Sequence, residues 1–200
     1  MNICILVSGT GSNFEAIINA KKKGIINSNI SLLISNNSSC GAVNIARENN
    51  IKFVHISRKK FDKLNDNEYS NLFLTELEKE NIDLIVLAGY MKKIEDDVIK
   101  KYHNRIINIH PALLPSFGGK GMFGINVHKA VIERGVQVSG LTIHFVNEEY
   151  DNGKIIFQKS MRVSKKDDEY SLQKKILKFE HKYYSEIIGK IEKGLIKIGN

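Results

Sequence analysis

Through the first half of the chain, short runs of nearly unbroken apolar residues alternate with longer stretches in which apolar positions recur every three or four residues. The short runs are "NICILVS" (2–8), "ISLLIS" (30–35), "KFVHIS" (52–57), "DLIVLAG" (83–89) and "RIINI" (105–109). Runs this short and this apolar fit strands buried on both faces. The stretches between them predict helices: "SNFEAIINAKKKG" (12–24), "CGAVNIARENN" (40–50), "NEYSNLFLTELEKEN" (67–81) and a short one near 95–102. In the first, Ser12 or Asn13 can cap the start, Phe14, Ile17 and Ile18 line one face, and Gly24 can end it. Strands alternating with helices in this way predict βαβ units and a parallel, doubly wound sheet.

The pattern changes after residue 110. "INVHKAVIERG" (125–135) predicts a short helix closed by Gly135. "VSGLTIHFV" (138–146) and "KIIFQKSMRV" (154–163) predict two strands joined by the Asp-Asn-Gly segment "NEEYDNGK", a hairpin or near-hairpin. A long helix over roughly 168–193 closes the fold, and "LIKI" (195–198) predicts a last short strand. No linker or repeat interrupts the chain. The expectation is one α/β domain over 1–200, Rossmann-like with a mostly parallel sheet, a C-terminal β-hairpin region and a closing C-terminal helix. Its halves are 1–105 and 106–200.

Composition narrows the class. At 42% hydrophobic and 26% charged residues the chain falls in the ordinary globular range. No apolar run approaches the ~18 residues of a membrane span. Met1-Asn2 leads straight into the first strand with no basic segment before it, which predicts a cytoplasmic protein without a signal peptide. The net charge of +8 comes from 30 basic residues against 22 acidic ones, and the basic residues are 25 scattered lysines and only 5 arginines. Interleaved aromatics or an arginine-rich helix would suit nucleic acid, and neither is present, so the lysines read as a solvated surface. Cys4 and Cys40 lie far apart and read as reduced thiols. Neither has a histidine-rich neighbourhood, so no metal is expected.

Two segments carry candidate chemistry. "LVSGTGSNFEAII" puts Gly9, Gly11, Ser12 and Asn13 between the first strand and the first helix. Ligands of open α/β sheets sit at the carboxyl ends of the strands, and a helix start there offers free N–H groups to an anion. The segment lacks the third glycine of a dinucleotide fingerprint and the Gly-Lys-Ser/Thr of a P-loop, which leaves a tight turn or a monophosphate cradle. "RIINIHPALLPSFGGKG" (105–121) holds both prolines of the chain, Pro111 and Pro115, just past His110. Asn108 and His110 are two apart on a strand and so share one side of it. Pro111 restricts the backbone on both sides of its peptide bond, and the prolines read as a rigid mount for a polar pair. A histidine near its ordinary pKa can hold or donate a proton, and a nearby carboxylate would raise that pKa. Glu148, Glu149 and Asp151 in the predicted hairpin are candidates, with Asp151 favoured because Asp-Asn-Gly can hold a side chain in a defined turn.

"GTGSN", "LAGYMK", "NIHPALLP", "SGLTIHFVNEEYDNGKIIFQ" and "EHKYY", in this order, resemble the folate-dependent phosphoribosylglycinamide formyltransferase family over nearly the whole chain. The resemblance implies direct formyl transfer from 10-formyltetrahydrofolate, a co-substrate, to the amine of 5-phosphoribosylglycinamide in purine biosynthesis. It implies catalytic roles for Asn108, His110 and Asp151: charge stabilisation at a tetrahedral oxyanion and movement of a proton, with no covalent adduct and no metal. It implies that Gly11, Ser12, Asn13, Phe14, Glu15 and Glu180 bind the ribonucleotide. It implies that Met91, Lys92, Lys93, Ile94, Asn108 and the turn Asn147, Glu148, Glu149, Tyr150 and Asp151 bind the folate. The first half would then be the ribonucleotide half and the second the catalytic and folate half. The partners expected are small molecules, with neither nucleic acid nor membrane, on a monomer or weak homodimer. The chain departs from the family at Gly118-Gly119, where Pro-Gly is common, and near Leu64, where a folate-contacting arginine is expected. It departs again at "YYS", where tyrosine-proline is usual.

Two other readings compete with this one. Another folate-dependent formyl enzyme, such as a formyltetrahydrofolate hydrolase, would share the histidine segment but carry a regulatory domain before it. A methionyl-tRNA formyltransferase would carry an RNA-binding domain after it. A non-catalytic nucleotide-binding Rossmann module would have no need of Asn108, His110 and Asp151 together.

Overall fold

The computed structural model describes residues 1–199. Its strands are β1 (Asn2–Val7), β2 (Asn29–Ser35), β3 (Lys52–His55), β4 (Leu84–Leu87), β5 (Ile106–His110), β6 (Val138–Phe145) and β7 (Ile155–Arg162). Its helices are α1 (Ser12–Lys22), α2 (Gly41–Glu48), α3 (Asp66–Lys79), α4 (Asp96–Lys101), α5 (Ile125–Glu133) and α6 (Glu169–Glu192). The strands form one sheet in the order β3-β2-β1-β4-β5-β6-β7. The first five run parallel, then β6 and β7 turn antiparallel.

The apolar runs are two-sided because the sheet is covered on both faces. Along β1, Ile3, Ile5 and Val7 enter a core built with α1, α2, α5 and α6, while Cys4 and Leu6 enter a second core built with α3 and α4. Successive strand side chains point to opposite faces, so every β1 position from Ile3 to Val7 is apolar and buried. β7, the outer strand, has no fully buried residue and carries Lys159 and Arg162 accordingly. Tyr184 of α6 is buried, and its hydroxyl reaches the carbonyl oxygens of Leu87 at 3.0 Å and Ile107 at 3.1 Å. That contact ties the long helix to β4 and β5 beside their carboxyl ends.

Two local expectations are corrected. Neither Ser12 nor Asn13 caps α1: the cap position is Gly11 at φ +84°, with no side-chain cap bond. Asn13 turns its amide toward α6 instead, donating to Glu180 Oε2 at 2.8 Å. "LIKI" forms no strand. Its alternation comes from Ile196 and Ile198 resting on the main core, and the segment pairs with neither edge of the sheet. Among the described residues, no helix is long and apolar enough to cross a membrane.

Candidate active site

β1 and β4, central and adjacent, are where the parallel sheet reverses its direction of growth, and a crevice opens there at the strands' carboxyl ends. The cleft has a volume of about 770 Å³ and is lined by the start of α1, the segments after β4 and β5, the turn between β6 and β7, and one face of α6.

At its floor, β5 delivers Asn108 and His110 on the same side, as its period of two requires. The His110 ring is buried, donates Nε2–H to the carbonyl of Phe117 at 2.8 Å and turns Nδ1 toward Asp151 Oδ2 at 3.5 Å. Asp151 is held at φ +54° in the turn after β6, and Oδ2 also accepts the Gly119 N–H at 2.9 Å. Gly118 has no room for a side chain, since a Cβ there would lie 2.6 Å from Leu114 Cδ2 and 3.1 Å from Asp151 Cβ. The Gly118-Gly119 departure thus lets the loop approach Asp151 closely. Glu149 is exposed and engaged by Asn152 instead, so Asp151 is the carboxylate that meets the histidine.

The expected rise in the His110 pKa does not occur. Burial lowers it, and this outweighs the upward pulls of the Asp151 charge and the Phe117 carbonyl. Removing an imidazolium from water is opposed more strongly than one partly solvated carboxylate can offset.

The cluster also contains two histidines that sequence reasoning did not assign. β6 sets His144 opposite Asn108 in the antiparallel register. His144 donates Nδ1–H to the Phe145 carbonyl at 2.8 Å, which leaves Nε2 to accept the Asn108 amide N–H at 3.1 Å. That bond fixes which way the Asn108 amide faces and leaves its second N–H free. His144 Nε2 also lies 3.8 Å from Asp151 Oδ1, and burial lowers its pKa. His128 of α5 is buried on the cleft wall with Nδ1 unpartnered, and burial, then the charge of His110, lower its pKa to about 4. Register and helix docking place both, and neither is visible in one sequence.

Ser12, Asn13 and Glu180 line the opposite end of the cleft. Glu180 is buried, and burial raises its pKa against the opposing hydrogen bond from Asn13. Asn13 Oδ1 is buried without a partner. The acceptors Asn13 Oδ1 and Glu180 therefore stand beside the first N–H groups of α1, which the helix itself cannot satisfy. Gly11, Phe14 and Glu15 do not line the cleft. A Cβ on Gly11 would lie 2.8 Å from Ala42 Cβ, the Phe14 ring is fully buried in the main core, and Glu15 is exposed with its N–H bonded to Gly11 O. The absence of a Cβ on Gly11 thus lets the loop pack closely on α2. Gln173 and Leu177 line the cleft above Glu180. Their i, i+4, i+7 spacing on α6 is the signal that could have found them.

Met91, Lys92, Lys93 and Ile94 and the whole turn 147–151 line the remaining wall. Met91, Phe123 and Tyr150 are half-exposed there and form an apolar rim suited to a flat, partly apolar ligand. Among the described residues, no group of three or more His, Cys, Asp or Glu is placed to hold a metal ion.

The family model described as "Formyl transferase" matches residues 1–188. The chain is 44% identical to the chloroplastic phosphoribosylglycinamide formyltransferase of Arabidopsis thaliana over 98% of its own length and 66% of that protein, just under two thirds. It is 33% identical to phosphoribosylglycinamide formyltransferase of Bacillus subtilis, over 92% of this chain and 91% of that one. Its fold superposes on the crystal structure of glycinamide ribonucleotide transformylase 1 from Symbiobacterium toebii with a TM-score of 0.90 and 30% identity, over 100% of this chain and 91% of that one. The chain belongs to the formyl transferase family, alongside the phosphoribosylglycinamide formyltransferases within it.

Proposed function

We propose that the chain transfers the formyl group of 10-formyltetrahydrofolate to the amine of 5-phosphoribosylglycinamide. The observation that carries this reading is the convergence of Asn108, His110 and Asp151 at the floor of one cleft, with His110 Nδ1 3.5 Å from Asp151 Oδ2. The ribonucleotide phosphate would take the free N–H groups at the start of α1, and its hydroxyl groups would satisfy Asn13 Oδ1 and Glu180. The folate would lie along 91–94 and 147–151 under the apolar rim. Each end draws on both halves of the chain, since Asn13 meets Glu180 across the division.

When the amine adds to the formyl carbon, negative charge develops on the formyl oxygen. The free N–H of Asn108 stabilises it from a preorganised position. Burial lowers the His110 pKa, against the upward pulls of Asp151 and the Phe117 carbonyl, and so favours its neutral form before the amine attacks. The developing charge favours uptake of a proton from solvent at His110 Nδ1, and Asp151 then stabilises the imidazolium. Asp151 also guides the proton from the attacking amine toward the departing folate nitrogen. The test is folate release measured with and without the ribonucleotide acceptor. Acceptor-dependent release is expected. Release without acceptor would mark a hydrolase, and no release with either would mark a binding module.

A further inference from the structure

Outside the cleft, on the edge strand β7, Gln158 reaches back across β6 to the loop that follows His110. Its Nε2 donates to the Leu114 carbonyl at 2.9 Å and to Thr142 Oγ1 at 3.0 Å. Thr142 Oγ1 in turn donates to the Ala112 carbonyl at 2.7 Å and accepts the Leu114 N–H at 2.9 Å. Residues 112–114 are therefore gripped at two carbonyls and one N–H by side chains of two other strands. We propose that Gln158 is a positioning residue for the active site, holding the loop whose Phe117 carbonyl and Gly119 N–H orient His110 and Asp151. This inference rests on the formyl-transfer reading only for what the positioned groups do.

The loop needs such a grip. Phe117 is a non-glycine residue at φ +58°, a conformation that persists only where its surroundings impose it. Its carbonyl is the acceptor that sets the His110 ring, while its own ring rests on the edge of the main core beneath the Arg134 guanidinium at 5.4 Å. Leu114 packs so close to Gly118 that no Cβ fits between them. A shift of Leu114 is therefore passed to Gly118, and through the Gly119 N–H to Asp151. The mechanical path from Gln158 to both catalytic partners is four residues of loop or fewer beyond Leu114–Pro115.

The experiment compares Gln158→Met, which keeps the length and removes the donor, with Gln158→Lys, which retains a donor. In Gln158→Met, kcat is expected to fall roughly 10-fold with both KM values within about 2-fold, because a misplaced catalytic group is felt in the transition state. The His110 NMR titration should move to lower pH, since the Phe117 carbonyl supports the imidazolium and drifts away. The other groups facing His110 are Asp151 from the turn, His144 from β6 and His128 from α5; none of them is substituted, and a displaced Asp151 would move the titration in the same direction. Gln158→Lys should restore most of kcat. A folded Gln158→Met protein with unchanged kcat and His110 titration overturns the proposal. So does a fall in kcat with no titration change and no rescue by lysine, which marks a purely structural role. If the wild-type protein shows no acceptor-dependent transfer, the functional reading fails, and the titration arm alone decides the clamp.

Discussion

At the scale of single residues, the site is a balance between burial and charge. His110 is nine-tenths and more buried, which disfavours its proton, yet it faces Asp151, which favours it. Asp151→Asn removes the favourable side alone while keeping the shape. The His110 pKa should fall further, and kcat should drop by roughly a hundredfold or more, with both KM values moving far less. Glu149→Gln should be nearly silent, because Glu149 is exposed and bonded to Asn152. Steady-state kinetics with an NMR titration of His110 checks both. Unchanged kcat in Asp151→Asn, with a loss in Glu149→Gln, would mean the wrong carboxylate is assigned. Asn108 and His110 were legible because strand periodicity alone puts residues two apart on one side. Asp151 was only half legible: the Asp-Asn-Gly turn suggested a fixed side chain, and the left-handed φ that fixes it appears only in the fold. His144 was not legible, because its meeting with Asn108 depends on the register of β5 against β6.

At the scale of elements, the start of α1 carries a packing constraint that no local pattern displays. Gly11 sits at φ +84°, where a Cβ would lie 2.9 Å from the Ala42 Cα, and a Cβ on Gly41 would lie 2.8 Å from the Thr10 carbonyl. The loop is braced on the first turn of α2, a contact between segments thirty residues apart that no local pattern encodes. Gly11→Ala therefore combines a left-handed backbone with a steric overlap, and should destabilise by about 2 kcal/mol or more. Gly9→Ala meets nothing within 4 Å and should leave Tm nearly unchanged. Thermal unfolding of the two variants separates the cases, and equal midpoints would count against the packing role. The helices themselves were largely legible. The Asn65–Glu68 capping box starts α3 where the polar pattern gives way to Tyr69, Leu72 and Phe73, and α6 runs over Glu169–Glu192 against the expected 168–193. Such boundaries are set by local capping and periodicity, which a sequence carries.

At the scale of the whole molecule, the alternation of strand and helix predicted a parallel sheet, and the sheet is parallel through β5. The strand order was not legible, because the choice of neighbour for β1 is made by packing across the two cores. That order puts β1 beside β4 and opens the cleft between them, so the fold that forms the site also buries histidines around it. Their burial makes stability depend on pH. His110, His128, His144 and His181 all have pKa values lowered, with burial the first cause in each, and His128 reaches about 4 from an ordinary 6.5. A histidine with a depressed native pKa binds fewer protons folded than unfolded, so stability rises with pH across the interval between the two values. The contribution is fully present above pH 6.5 and is lost as pH falls toward 4. Each histidine kept neutral in the fold and protonated in the unfolded chain makes the slope steeper by about 1.4 kcal/mol per pH unit. The partly exposed His181 contributes less than the other three. Glu180 acts in the opposite sense, because its raised pKa means the fold takes up a proton before the unfolded chain does. Glu192, lowered to about 2 with hydrogen bonds from Asn27 and Ser28, extends the loss below pH 4.5. With three buried histidines against one buried carboxyl group, urea unfolding should show stability falling steadily from pH 7 to pH 4.5. His128→Gln should flatten the lower part of that fall, since burial carries the His128 pKa down to about 4. A stability constant over this range, or a His128→Gln profile parallel to the wild type, would show that the buried histidines are not what acid attacks.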